Sequence, residues 1–123
     1  MTLKEIANEL VAGCRENRAK ANLDKLYASD AVSVEAMEME PGSGRETKGL
    51  EGLKGKHDWW DNSMEMLEGD ISDPMLHGDD KFAVIFTGKA KEKATGNVME
   101  INEVAVYSVT DGKISREEFY YTM

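Results

Sequence analysis

The feature that most constrains the fold is the second half of the chain. From Glu65 onward it runs in four extended stretches, Glu65 to Leu76, Lys81 to Glu92, Asn97 to Thr110 and Lys113 to Tyr121. They are separated by Gly78-Asp79-Asp80, Thr95-Gly96-Asn97 and Asp111-Gly112. Strands joined by so few residues pair antiparallel, because a parallel pair needs a crossover of a dozen or more. Asp111-Gly112 is the strongest of the three turn signals, since glycine supplies the positive φ of a tight primed turn. Pro74 has no N–H to give a ladder and marks an edge or a bulge.

The first half carries a different period. Thr2-Leu3-Lys4-Glu5 has capping-box spacing, in which a hydroxyl and a carboxylate satisfy orphan helix donors reciprocally. Leu3, Ala7, Leu10 and Cys14 follow at spacings of four, three and four, a stripe that predicts a helix to about Arg18. Leu23, Leu26 and Tyr27 form the inner face of a short second helix over Asn22 to Tyr27. Alternation from Ala31 to Met39 predicts a half-buried strand, ended by Pro41-Gly42-Ser43-Gly44. A short extended piece over Arg45 to Lys48 precedes Leu50, Leu53, His57, Trp60 and Met64, the stripe of a third amphipathic helix. Three helices with long hairpins make a segregated α+β layer fold, the helices covering one face of the sheet.

Composition narrows the function. A length of 123 residues is enough for one domain and too little for two. With 24 acidic and 15 basic side chains the net charge is -9, which repels phosphate backbones and anionic lipid and argues against a nucleic-acid partner. The single cysteine, Cys14, reads as a core thiol, excludes an internal disulfide framework and points to the cytoplasm. The N-terminus lacks the basic and apolar runs of a signal peptide, and the longest apolar runs are far shorter than the roughly 20 residues of a membrane span. His57, Asp58 and His77 have no metal-ligand spacing, Gly42-Ser43-Gly44 reads as a turn rather than a nucleophile elbow, and no phosphate-binding glycine loop or dinucleotide fingerprint occurs. Neither a metal nor a cofactor is expected.

Three local patterns stand in a telling order: Tyr27-Ala28-Ser29-Asp30-Ala31-Val32 leading into a strand, Gly49 opening the third helix, and Asp111-Gly112-Lys113-Ile114 before a final Glu-Glu-Phe-Tyr-Tyr. In these features the chain resembles the nuclear-transport-factor-2-like superfamily over nearly its whole length, especially the SnoaL-like (polyketide-cyclase-like) and ketosteroid-isomerase-like branches. The resemblance implies a single domain over residues 1–123 with a cystatin-like shape: three helices on a strongly curved, mostly antiparallel sheet forming a cone-shaped half-barrel with an internal pocket. It does not fix a reaction, because this superfamily includes isomerases, dehydratases, cyclases, epoxide hydrolases and non-catalytic modules.

The resemblance also implies site residues. The general base of ketosteroid isomerases lies eight residues beyond the tyrosine, which gives Glu35 here; a glutamate performs the same proton shuttling as an aspartate. The second carboxyl of those enzymes, kept protonated to donate a hydrogen bond, matches Glu103 with one residue gapped. Their first-helix tyrosine is missing, the corresponding positions being Leu10, Val11 and Cys14, so steroid isomerisation itself is not implied.

Strand parity read without the family agrees. Met99, Ile101, Glu103, Ala105, Tyr107 and Val109 share the better inner face of their strand, and on the last strand Glu117, Phe119 and Tyr121 share a face opposite Glu118. Convergence of Glu35, Glu103 and Glu117 would raise at least one carboxyl pKa, and His57 from the third helix would pair with one of them or carry the proton, its plainer reading being a core histidine. Trp60, Phe86, Tyr107, Phe119 and Tyr121 form core or pocket wall around a small apolar or carbonyl-containing molecule. Met37, Met39, Met64 and Met66 suggest a malleable apolar lining. Phe82 to Phe86 is apolar on both faces, so a homodimer through Ala83, Ile85, Val104 and Val106 is expected on the outer face. The alternative to a cofactor-independent isomerase, cyclase or dehydratase is a non-catalytic module for hydrophobic-ligand binding or dimerisation.

Overall fold

The computed structural model of the protein describes residues 1–122. Helix α1 spans Leu3–Arg15 and opens with the expected capping box: the Glu5 amide donates to Thr2 Oγ1 (3.1 Å) and the Thr2 amide donates to Glu5 Oε1 (2.8 Å). It stops three residues short of the expected Arg18. Asn17 takes a positive φ of 60°, and the Arg18 amide folds back onto Gly13 O at 2.7 Å. That reversal lets α2, Ala21–Leu26, lie against α1. A Cβ on Gly13 would meet Asn22 Nδ2 at 2.1 Å, so glycine sets how closely the two helices approach.

Strand β1 spans Tyr27–Val34, β2 Glu46–Lys48, helix α3 Leu50–Ser63, and strands β3 to β7 Met64–Ile71, Met75–His77, Lys81–Glu92, Val98–Thr110 and Lys113–Tyr120. They form one sheet in the order β2-β1-β7-β6-β5-β3, with β4 also paired to β5. Every pairing is antiparallel except β1 with β7.

The hairpin half follows the sequence closely, whereas β1 does not. The expected strand over Ala31 to Met39 is displaced: β1 begins at Tyr27 and ends at Val34, because its register is set by the distant β7, with Tyr27 opposite Ile114 and Val34 opposite Glu118. Beyond Val34 the alternation continues without a long partner. Met37 and Met39 are consequently 41% and 59% exposed, and Met66 is exposed as well, so of the expected methionine lining only Met64 is buried. The stretch expected over Glu65 to Leu76 divides into β3 and β4 around Pro74, where Ser72 replaces the ladder by donating its amide to Ile85 O (2.9 Å) and accepting from the Ile85 amide on Oγ (2.8 Å).

The core lies between helices and sheet. Ile6, Leu10, Leu23, Leu26 and Leu53 from the helices pack on Phe82, Val84, Ala105 and Ile114 from the strands. Leu3 and Cys14, at the ends of the predicted α1 stripe, pack at the margin of that core. Helix α3 starts against β1 and β2 and ends at the tip of β5, where the Lys93 amide donates to Ser63 O and the Lys93 ammonium to Asp61 O, both at 2.9 Å. The sheet therefore bends round this helix and remains open between its β2 and β3 edges. Its outer face leaves Ile85, Val104, Tyr120 and Met75 exposed, with Ala83 and Val106 half-buried between them.

Candidate functional site

Sheet register assembles the site in rows. Ser33 lies opposite Glu117, Glu117 opposite Tyr107, and Tyr107 opposite Phe82. Parity then places Glu35, two residues beyond Ser33, on the same face of the chain. Glu103, which pairs with Phe86, lies two residue pairs from Tyr107 on its own face of β6. Of the adjacent glutamates on β7, Glu117 is the one turned inward, with only 5% of its surface exposed.

The deeper cluster centres on Glu117. Its carboxylate accepts hydrogen bonds from Tyr27 Oη and from Ser33 Oγ, the latter at 2.6 Å. Burial pushes the Tyr27 and Tyr107 phenols well above their ordinary values, with Glu117 reinforcing both. Tyr107 is buried in the core, its ring stacked on Phe82 with centroids 4.7 Å apart. Burial also raises the Cys14 thiol to about 11, with Glu117 adding to it, so this cysteine is no thiolate nucleophile near neutrality. His57 is half-buried on α3. Its pKa is lowered, chiefly because burial disfavours the imidazolium, against the pull of Glu117.

Nearer the rim, Glu35 and Glu103 share a second cluster with Lys56, Phe119 and Tyr121. Burial is the main cause raising the Glu103 carboxyl to about 7, the Glu35 charge raises it further, and Lys56 opposes both. Burial followed by the same two glutamates pushes the Tyr121 phenol up to about 12. Lys56 Nζ lies 3.5 Å from Glu35 Oε2 and 5.5 Å from the centroid of the Phe119 ring. It also donates to Ser33 Oγ at 2.8 Å, which joins the two clusters. Trp60 is half-buried one turn beyond Lys56 on α3, and Phe86 is half-buried across from Glu103.

Three members of this arrangement were not singled out from sequence: Tyr27 as a polar partner, Ser33 and Lys56. Ser33 was within reach, since it has the parity of Glu35 two residues away. Lys56 sits on the flank of the α3 stripe, and only the bend of the sheet round that helix brings it to Ser33. Two open hollows, of about 510 and 380 Å³, lie one against Trp59 and Lys93, the other over Gly69 and Gly88.

Such an arrangement, with one carboxyl raised to about 7 beside another in an ion pair, is equipped to take a proton from one atom of a bound molecule and support charge on another. Among the described residues no helix is long and apolar enough to cross a membrane.

Comparison with known proteins accounts for the architecture. The model of the SnoaL-like domain matches residues 1–121. A solved structure from Mesorhizobium loti, a candidate SnoaL-like polyketide cyclase, is 35% identical, with a TM-score of 0.89, over 98% of this chain and 100% of that one. More distant structures share the fold. A Mycobacterium tuberculosis protein in complex with estradiol-17β-hemisuccinate is 18% identical, with a TM-score of 0.76, over 100% of this chain and 96% of that one. A computationally designed 17-OHP binder is 18% identical, with a TM-score of 0.72, over 100% of this chain and 93% of that one. No curated protein matches. A family match over residues 1–121, with a 35% identical structure over 98% of the chain, means that this protein belongs to the SnoaL-like domain family.

Proposed function

We propose that residues 1–123 act as one domain that binds a small apolar or carbonyl-containing molecule on the inner face of the sheet and moves a proton there, with Glu35 as general base and Glu103 as the protonated partner. No bound cofactor is required. The observation that carries this reading is the Glu103 carboxyl, raised to about 7 by burial and by Glu35 beside it. Glu35 takes a proton from the carbon next to a carbonyl, the developing negative charge on oxygen is met by the O–H of Glu103, and Glu35 returns the proton at the same or a neighbouring carbon. His57, held towards its neutral form by burial, is an alternative proton carrier beside Glu117. Phe86, Phe119, Tyr121 and Trp60 supply the apolar wall. The ligands of two structures of this fold, estradiol-17β-hemisuccinate and 17-OHP, are apolar molecules with oxygen at their edges and support this ligand class.

The test is hydrogen–deuterium exchange at the α-carbon of a panel of enolisable ketones and lactones, followed by proton NMR. The native chain should accelerate exchange for at least one member, and Glu35→Gln or Glu103→Gln should each lower that rate by about 100-fold or more. Equal rates in native and variant chains would refute the assignment.

A second reading rests on a separate observation, the exposed apolar strip of Ile85, Val104, Tyr120 and Met75 on the outer face. It makes the protein a non-catalytic ligand-binding or dimerisation module in which two copies pair through Ala83, Ile85, Val104 and Val106. Either reading suits the cytoplasm, since the lone Cys14 makes no demand for an oxidising compartment.

A further inference from the structure

The acid–base reading leaves one charged side chain at the centre of the site without a task. Lys56 is largely buried, its side chain 28% exposed, and it is held from three directions. Its ammonium donates to Ser33 Oγ (2.8 Å), approaches Glu35 Oε2 (3.5 Å) and sits over the ring of Phe119. Ser33 is itself fixed, because it is fully buried and spends its own hydrogen on Glu117. A lysine restrained in this way is a located charge rather than a solvated one.

The groups coupled to Glu103 come from several elements: Glu35 just beyond β1, Lys56 from α3, Tyr121 beyond β7 and Tyr107 on its own strand, while β5 presents the apolar Phe86. Two carboxyls sharing a desolvated space cannot both ionise without strong repulsion, so one keeps a proton. Burial already favours Glu103 as the one that does. A cation within ion-pair distance of Glu35 adds to that bias, because Coulomb energy falls with separation.

We propose that Lys56 is a positioning residue of the pair: its ammonium, clamped by Ser33 and Phe119, anchors the Glu35 carboxylate and so leaves the shared proton on Glu103. The assignment rests on the acid–base reading above and adds the residue that gives the two carboxyls their different tasks.

The experiment is a carboxyl carbon-13 NMR titration of the native chain, Lys56→Met and Lys56→Arg. The native Glu103 signal should have its midpoint near 7. In Lys56→Met, where no cation holds Glu35 as the carboxylate, a measurable part of the step near 7 should pass from the Glu103 signal to the Glu35 signal, and Lys56→Arg should return it to Glu103. A general loss of packing would affect both variants and would not be rescued by charge. A step that stays confined to Glu103 in all three chains would overturn the role of Lys56 while leaving the carboxyl pair intact. A native Glu103 that titrates near the ordinary 4.5 would overturn both ideas. Should Lys56→Met not fold, the nitrogen-15 signal of Lys56 Nζ in the native chain decides the matter: it should shift through the Glu103 titration, and a flat response would overturn the proposal.

Discussion

Glu103 gives the residue scale its clearest consequence. Its folded pKa of about 7 lies above its ordinary 4.5, so between those values the folded chain binds more protons than the unfolded one. Stability from this group therefore falls as pH rises through that window, and the penalty is complete above about 7. Glu103→Gln should remove the slope. The stability difference between variant and native chain should grow by about 2 kcal/mol from pH 4.5 to 8, a figure already reduced for partial exposure, as read from urea midpoints at each pH. His57 runs the other way, because a depressed folded pKa makes protonation costly as pH falls. It is present in both chains and cancels from the difference. Glu103 and Glu117 were identifiable as inward candidates because strand parity carries that information, whereas Glu35 was implied by the family resemblance. Ser33 and Tyr27 were passed over because a hydroxyl acquires significance only from the buried carboxylate it serves.

At the scale of elements, the hairpins were legible and the first strand was not. Lys81–Glu92 emerges with the expected bounds, and Asp111 and Gly112 both take positive φ, 52° and 75°, as a tight primed turn between β6 and β7 requires. Turn chemistry is local, so the sequence carries it directly. The bounds of β1 depend on a parallel partner some 85 residues away in sequence, and local alternation has no knowledge of where that partner ends. Glycine placement follows the same division. Gly88 reads as an ordinary interruption of β5, yet its φ is 152° and a Cβ there would meet Glu68 O at 2.3 Å and Gly69 Cα at 2.9 Å. Gly88→Ala should force β3 away from β5 at a loss of about 3 kcal/mol or more. Hydrogen exchange would show the loss concentrated in Met64–Ile71, and protection of that strand equal to the native chain would refute it.

For the whole molecule, the outer face supplies the prediction. A strip containing Ile85, Val104 and Tyr120 in the middle of a sheet face is flanked by the cross-strand pairs Glu68–Lys89 and Glu65–Lys91. Apolar centre and charged margin together match the anatomy of a self-pairing surface. If two copies pair there, sedimentation equilibrium at micromolar concentration should give twice the 13.7 kDa chain mass. Val104→Lys should return the chain to a monomer with its fold intact. A monomeric native chain at high concentration would eliminate the pairing.

The sequence by itself determined the class of fold, the hairpin turns, the helix cap at Thr2 and the strand parity of Glu103 and Glu117, because each depends on neighbours within a few residues or on the period of a strand. Tertiary structure alone decided that Glu117 is consumed by Tyr27 and Ser33 and that Lys56 reaches Glu35 from a helix. These are contacts between elements far apart in the chain. Their partners are chosen by the bend of the sheet round α3 and by the register of β1 on β7, quantities that no local pattern encodes.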